Sequence, residues 1–205
     1  RFCVSTQHYS FAVEAFVALL KEHGGETYDF HLRETQTYEI IEDVAKIYRA
    51  FIKQLYDAGC RNLQLDDCSW GVCVDPAAPF VFGVEPEKMG DIMDQLLKVN
   101  NLALEGKPDD LTVATHICRG NYNSSWASRG GYEPVAERLF AHENVDAYYL
   151  EFDDARSGGF EPLRFVTPGK KVVLGLITSK RPELEDKDAV IARIHEAAKY
   201  VPLEN

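Results

Sequence analysis

Apolar residues recur along this chain in two alternating periods. From Glu39 to Ala58, residues Ile40, Val44, Ile47, Phe51 and Leu55 form one helical stripe, and Gly59 closes it. The segment Phe11 to Leu20 has the same spacing and stops at Gly24-Gly25. Asn62 to Asp66 alternates instead and reads as a strand. A loop-like stretch from Cys68 to Glu85 holds Pro76, Pro79 and Gly83. A helix is expected from Pro86 to about Leu104, burying Met89, Ile92, Leu96 and Ala103, and then a strand from Leu111 to Cys118. After a Gly/Asn/Ser-rich loop to Gly131, Pro134 opens a helix to about His142. Strands are expected at Val145 to Phe152 and Lys171 to Ile177. The last helix, about Asp188 to Tyr200, groups Val190, Ile191, Ile194, Ala197 and Ala198.

This alternation signals βαβ units and a parallel sheet in one α/β domain spanning 1–205. No G-x-G-x-x-G turn follows an expected strand, which removes the best signature of a dinucleotide-binding fold. The expected class is a (β/α)8 TIM-type barrel. A complete barrel takes about 250 residues, so four to five strands imply one lacking N-terminal and C-terminal elements. The absence of an initiator Met fits a fragment or a processed product.

Parity places the polar groups. Along Leu111 to Cys118, residues Leu111, Val113 and Ile117 share one face, while Thr112, Ala114, His116 and Cys118 share the other. In the next strand, Tyr148, Leu150 and Phe152 oppose Ala147, Tyr149, Glu151 and Asp153. His116, Cys118 and Glu151 therefore converge at the C-terminal ends of neighbouring strands, where α/β barrels carry their sites. Each is a zinc-binding type. From spacing alone the alternative is equally open: a small core Cys, and a Glu bonded to backbone. By the same parity Asp66 faces inward at its strand end, as a substrate contact, a base or a loop cap.

Composition narrows the partners. Acidic residues outnumber basic ones 33 to 22, for a net charge of −11, and no basic stripe appears; nucleic acid and anionic membrane surfaces are disfavoured. No run reaches the roughly 20 apolar residues of a bilayer span, and no signal peptide is visible. Five cysteines without framework spacing point to a reducing compartment, hence the cytoplasm. Oligomeric state is not legible.

Four segments in order, Leu63-Gln64-Leu65-Asp66-Asp67, Thr115-His116-Ile117-Cys118, Glu151-Phe152-Asp153-Asp154-Ala155-Arg156-Ser157-Gly158 and Val173-Leu174-Gly175-Leu176-Ile177-Thr178-Ser179-Lys180, resemble the catalytic barrel of cobalamin-independent methionine synthase. Its short single-domain bacterial relatives are nearer still, and the likeness runs from about Glu39 to the end. The resemblance implies zinc ligands at His116, Cys118 and Glu151. It implies that Asp66 holds the amino group of a homocysteine-like thiol. Ser179 and Arg156 are further candidate substrate contacts, and for Arg156 a rim salt bridge or a role in orienting Glu151 is at least as open. The implied reaction is methyl transfer to a thiol activated as a zinc thiolate, from a donor that in the family is a polyglutamylated folate.

Three departures qualify that implication. The family's fourth ligand is a Cys on a strand expected just beyond Asn205. Cys60 lies at the wrong end of its strand, whereas Cys68 or Cys73 could stand in. Thr178 occupies a position near which methionine synthases carry a His. Asp67-Cys68-Ser69-Trp70 replaces a Glu-Pro sequence after Asp66. Two other functions therefore remain: a small-molecule-binding relative without turnover, and a metal-free hydrolase using Asp66 and Glu151 as an acid–base pair.

Overall fold

The structure, a computed structural model, describes residues 2–4 and 34–205; the expected helix Phe11 to Leu20 lies outside them. Five parallel strands, β1 (Phe2–Val4), β2 (Asn62–Asp66), β3 (Thr112–His116), β4 (Ala147–Tyr149) and β5 (Lys171–Val173), lie side by side in sequence order. A doubly wound sheet would interrupt that order at a switch point, and these five strands contain none. The sheet is open among the described residues: β1 and β5 are its two edges, and no ladder joins them. It is an α/β parallel sheet, and the described strands, which do not close on one another, form no more than part of the incomplete (β/α)8 barrel expected from the sequence. Strand β1 is an addition to the expected elements, pairing Phe2 with Leu63 and Val4 with Leu65.

Helices α1 (Glu34–Asp57) and α4 (Met89–Leu104) pack against each other between successive strands. Within residues 41–57 of α1, where burial is described, the deepest positions are Ile41, Ala45 and Ile52, one residue on from the expected stripe. The helix is thus turned by about 100° relative to that expectation. The loop expected after Cys68 contains two single-turn helices, α2 (Ser69–Cys73) and α3 (Ala78–Phe82). The helix expected from Pro134 is a 3-10 turn at Glu133–Val135 followed by a π turn at Glu137–Ala141. Its carbonyls serve other donors: Tyr148 Oη gives hydrogen bonds to Leu139 O (2.9 Å) and Phe140 O (3.3 Å). Helix α5 (Lys187–Ala197) begins on the Asp186 side chain, which accepts from Ala189 N–H at 2.8 Å.

Strand parity follows the expected pattern. Val113, Ile117, Tyr148 and Phe152 are fully buried on the helix side, with Leu63 at 3% and Leu150 at 5% exposure. Phe152 packs against Tyr132 (5.0 Å) and Phe160 (4.8 Å), and Phe140 meets Tyr148 edge-on at 5.1 Å. The ladders are shorter than the expected strands, yet pairing continues past them: Ile117 N–H donates to Tyr149 O (2.8 Å) and Leu150 N–H to Val173 O (2.8 Å). The segments that carry the polar side chains are therefore held by backbone bonds on the C-terminal side of the sheet. No helix among the described residues is long and apolar enough to cross a membrane.

Candidate metal centre

Strands β2 and β3 pair with Asp66 opposite His116. The Asp66 Oδ1–His116 Nδ1 distance is 3.0 Å, and Gln64 Nε2 donates to the same oxygen at 2.9 Å. Asp67 N–H then donates to His116 O at 3.0 Å, so the register persists one step further. Two residues beyond the Asp66–His116 pair, Cys68 meets Cys118, with sulfurs 3.4 Å apart. Period-two alternation thus places Cys68 and Cys118 on the face already holding Asp66 and His116. One donor atom from each of Cys68, His116 and Cys118 lies within 4.8 Å of the others.

Two glycines permit this closeness. A Cβ on Gly71, in α2, would fall 2.2 Å from Cys118 O, so only glycine lets α2 sit against the end of β3. Gly120, at φ +86°, turns the chain so that its N–H reaches Cys118 Sγ at 3.3 Å.

The electrostatics favour a thiolate at Cys118. The Cys68 S–H donated to it holds its pKa far below the usual thiol range against the opposing effect of burial, and His116 and Gly120 N–H add to the lowering. Cys68, as donor and half-buried, is pushed up. His116 is raised first by its hydrogen bond with Cys118, with burial opposing and Asp66 helping. Cys73 is pushed up to about 12 by burial in the core, and takes no part in the group.

Two sulfurs and one nitrogen suit zinc. With Zn–S near 2.3 Å, two sulfurs on one tetrahedral ion lie about 3.8 Å apart. The observed 3.4 Å needs to open by only a few tenths of an ångström. Asp66 meets Nδ1 of His116, which fixes the ring and makes Nε2 the atom that could coordinate a metal, an arrangement common in histidine-bound metals.

Glu151 lies outside this group. Its Oε2 accepts from Asn121 Nδ2 (3.1 Å) and Arg119 N–H (3.4 Å), and its Oε1 is held by Arg156 and by Lys180 at 3.2 Å. Asp153 joins the same cations, bonding Arg156 at 3.0 Å and Lys180 at 3.3 Å, and takes a hydrogen bond from Thr178 Oγ1 at 2.8 Å. Burial opposes ionisation of Asp153, but the Thr178 hydroxyl and the two cations hold its pKa below the usual range. Arg156 also reaches Asp154 at 2.5 Å and lies over the Trp126 ring. Ser179 Oγ donates to Asn121 Oδ1 at 3.0 Å. Arg156, Trp126, Arg181 and Arg193 line a cleft of about 620 Å³ beside these carboxylates. The structure thus brings His116, Cys118 and Asp66 together, and sets Glu151, Arg156 and Ser179 in a neighbouring charge network.

Sequence reasoning left Cys68 as one of two stand-ins. The usable signal was parity, since Cys68 continues the Gln64–Asp66 face by two residues. It missed Asn100 and the fully buried Glu143, which belong to no motif.

The comparisons with known proteins agree with this fold. No protein-family model matches the chain. It is 45% identical over 172 residues to the uncharacterized protein YxjG of Bacillus subtilis (strain 168), and 48% over 170 residues to YxjH of the same organism. These matches cover 82% and 81% of this chain but 45% and 44% of those proteins, so the chain spans about half their length. A provisionally named vitamin-B12-independent methionine synthase from Listeria monocytogenes is similar in structure: TM-score 0.62 and 38% identity, over 82% of this chain and 46% of that one. A B12-independent methionine synthase from Shewanella sp. W3-18-1, solved in complex with selenomethionine, shares the fold at TM-score 0.57 and 24% identity, over 86% and 48% of the two chains. The chain is related to proteins of this methionine-synthase-like kind.

Proposed function

We propose that the chain is a zinc-dependent methyltransferase, or the zinc-binding part of one, acting on a homocysteine-like thiol. One observation carries the reading. Cys68, His116 and Cys118 gather two sulfurs and an imidazole within 4.8 Å at the C-terminal ends of a parallel sheet. The relationship to proteins named as B12-independent methionine synthases supports the choice of reaction.

When bound, the ion supplies positive charge that lowers the pKa of a thiol beside it, so that sulfur reacts at neutral pH. The chain's own groups then have separable tasks. Cys118, already biased toward thiolate, and His116, oriented by Asp66, hold the ion with Cys68. Asp66 also offers negative charge to a substrate ammonium group, the role that the resemblance gives it. Arg156 and Lys180 keep the Glu151 and Asp153 carboxylates fixed, and Asp153 and Arg156 line the cleft that in this reading takes a folate-like methyl donor.

The test is methyl transfer to homocysteine from methyltetrahydrofolate, measured before and after metal removal by a chelator and on re-addition of zinc. The reading expects activity lost on stripping and restored by zinc, and undiminished activity in the stripped protein contradicts it. A second reading keeps one specific observation: Thr178, near the place of a family His, is engaged with Asp153. A binding protein without turnover would bind homocysteine calorimetrically and transfer no methyl group.

A further inference from the structure

Of the three candidate ligands, His116 ends a strand and Cys118 is held by the Gly120 N–H, but Cys68 sits on the turn between β2 and α2. Something must fix that turn, and the structure shows what does. Asp67 Oδ1 accepts from Ser69 N–H at 3.2 Å, and Asp67 Oδ2 accepts from Asn100 Nδ2 at 2.6 Å. Asn100, on α4, donates the same amide nitrogen to Glu143 Oε1 at 2.7 Å. Glu143 is fully buried, and Lys170 Nζ bonds its backbone carbonyl. A chain of hydrogen bonds therefore runs from the rigid interior, through α4, to the residue immediately before Cys68.

We propose that Asn100 is a positioning residue for the metal centre, acting through Asp67 to hold the Cys68 sulfur against Cys118, with Glu143 orienting the Asn100 amide. The proposal rests on the metal reading above and deepens it. Both amide hydrogens of Asn100 are committed, one to each carboxyl group, so the side chain has one orientation that satisfies both. Without it, the Asp67 carboxylate keeps only the Ser69 contact, and the turn gains freedom. His116 and Cys118 stay where they are. The consequence is specific: one thiolate of two leaves the metal.

Cobalt(II) reads this directly, because its thiolate-to-metal absorption scales with the number of coordinated sulfurs. The metal-stripped chain is titrated with cobalt(II) as wild type, Asn100→Leu, Asp67→Ala, Cys68→Ser, Glu143→Gln and the Asn100→Leu/Cys68→Ser double variant. Asn100→Leu and Cys68→Ser should each lower the band per bound ion to about half, and the double variant should sit at the same level. Glu143→Gln, which keeps an acceptor oxygen for Asn100, should retain the full band. A full band in Asn100→Leu overturns the proposal, as does a further fall in the double variant, since the effect then does not act through Cys68. If Asn100→Leu fails to fold, Asp67→Ala at its half-buried position decides: a halved band supports the role and a full band overturns it. Wild-type protein that takes up no cobalt overturns the metal reading itself, an outcome separate from failure of the positioning role.

Discussion

The ends of β3 and β4 lie side by side and solve opposite electrostatic problems. At the end of β3, two sulfurs and an imidazole converge, compensated among the described residues by a shared proton, the Gly120 N–H and the Asp66 contact. At the end of β4, two buried carboxylates, Glu151 and Asp153, are matched by Arg156 and Lys180 from the same chain. Carboxylates with fixed cations beside them gain little from a metal ion, whereas soft donors gathered without a cation gain a great deal. The contrast favours the β3 end as the candidate metal centre and the β4 end as its surroundings, although the two sets of residues look equally ligand-like in the sequence.

The largest expected effect that sharpens this contrast is on the β4 side. Glu151→Ala leaves Arg156 and Lys180 short of a buried partner and should cost about 3–5 kcal/mol of stability, measured by denaturant unfolding, with zinc content unchanged. Loss of zinc in a variant that remains folded would move Glu151 into the ligand set.

Glu143 offers the next test, as a carboxyl group whose side chain is met by an amide rather than by a cation. Burial, aided by the charge of Asp67, pushes its pKa up to about 8 from the ordinary 4.5. The folded chain thus keeps a proton that the unfolded chain has already released, and stability from this group falls as pH rises from 4.5 to about 8 before levelling. Glu143→Gln should remove that slope, worth a few kcal/mol at most; unfolding curves at pH 5 and pH 9 measure it. An unchanged slope contradicts the assignment.

Cys68→Ser removes a proposed ligand and should weaken zinc binding by at least the roughly 10–100-fold that loss of a ligand's supporting partner costs in a competition titration, with Cys118 and His116 still holding the ion. An unaltered affinity would place Cys68 outside the centre. The smallest effect belongs to the link between the two strand ends. Tyr132 Oη donates to Ile117 O at 3.0 Å and accepts from Glu151 N–H at 2.9 Å. Tyr132→Phe should lower stability by about 1–3 kcal/mol, since it leaves two buried backbone groups without that partner, and should leave zinc content intact.

Much of the fold is legible because burial imposes a period. Val113, Ile117, Tyr148 and Phe152 fall on one parity, and the parity alone assigns His116, Cys118 and Asp66 to the opposite face. What periodicity does not carry is register. The pairing of residue 66 with 116 is a tertiary fact, and it is what brings Cys68 to Cys118. Nor does it carry competition for ligands: that Glu151 would be captured by Arg156 and Lys180 depends on loops returning from Ala155 and Thr178, which have no repeating pattern. Helix α1 shows a milder version, where a stripe defined by large residues is offset from the face that small Ala45 allows to pack closest. The π turn at Glu137–Ala141 is not legible in the sequence, and the Tyr148 hydroxyl that bonds its carbonyls lies on another element.

The central claim is that Cys68, His116 and Cys118 form one zinc site. Elemental analysis of the purified full chain and of its Cys118→Ala variant tests it most directly. The account predicts about one zinc per wild-type chain and almost none in the variant, both proteins remaining folded by circular dichroism. Equal zinc in the two, or none in a wild-type protein offered zinc under reducing conditions, contradicts it.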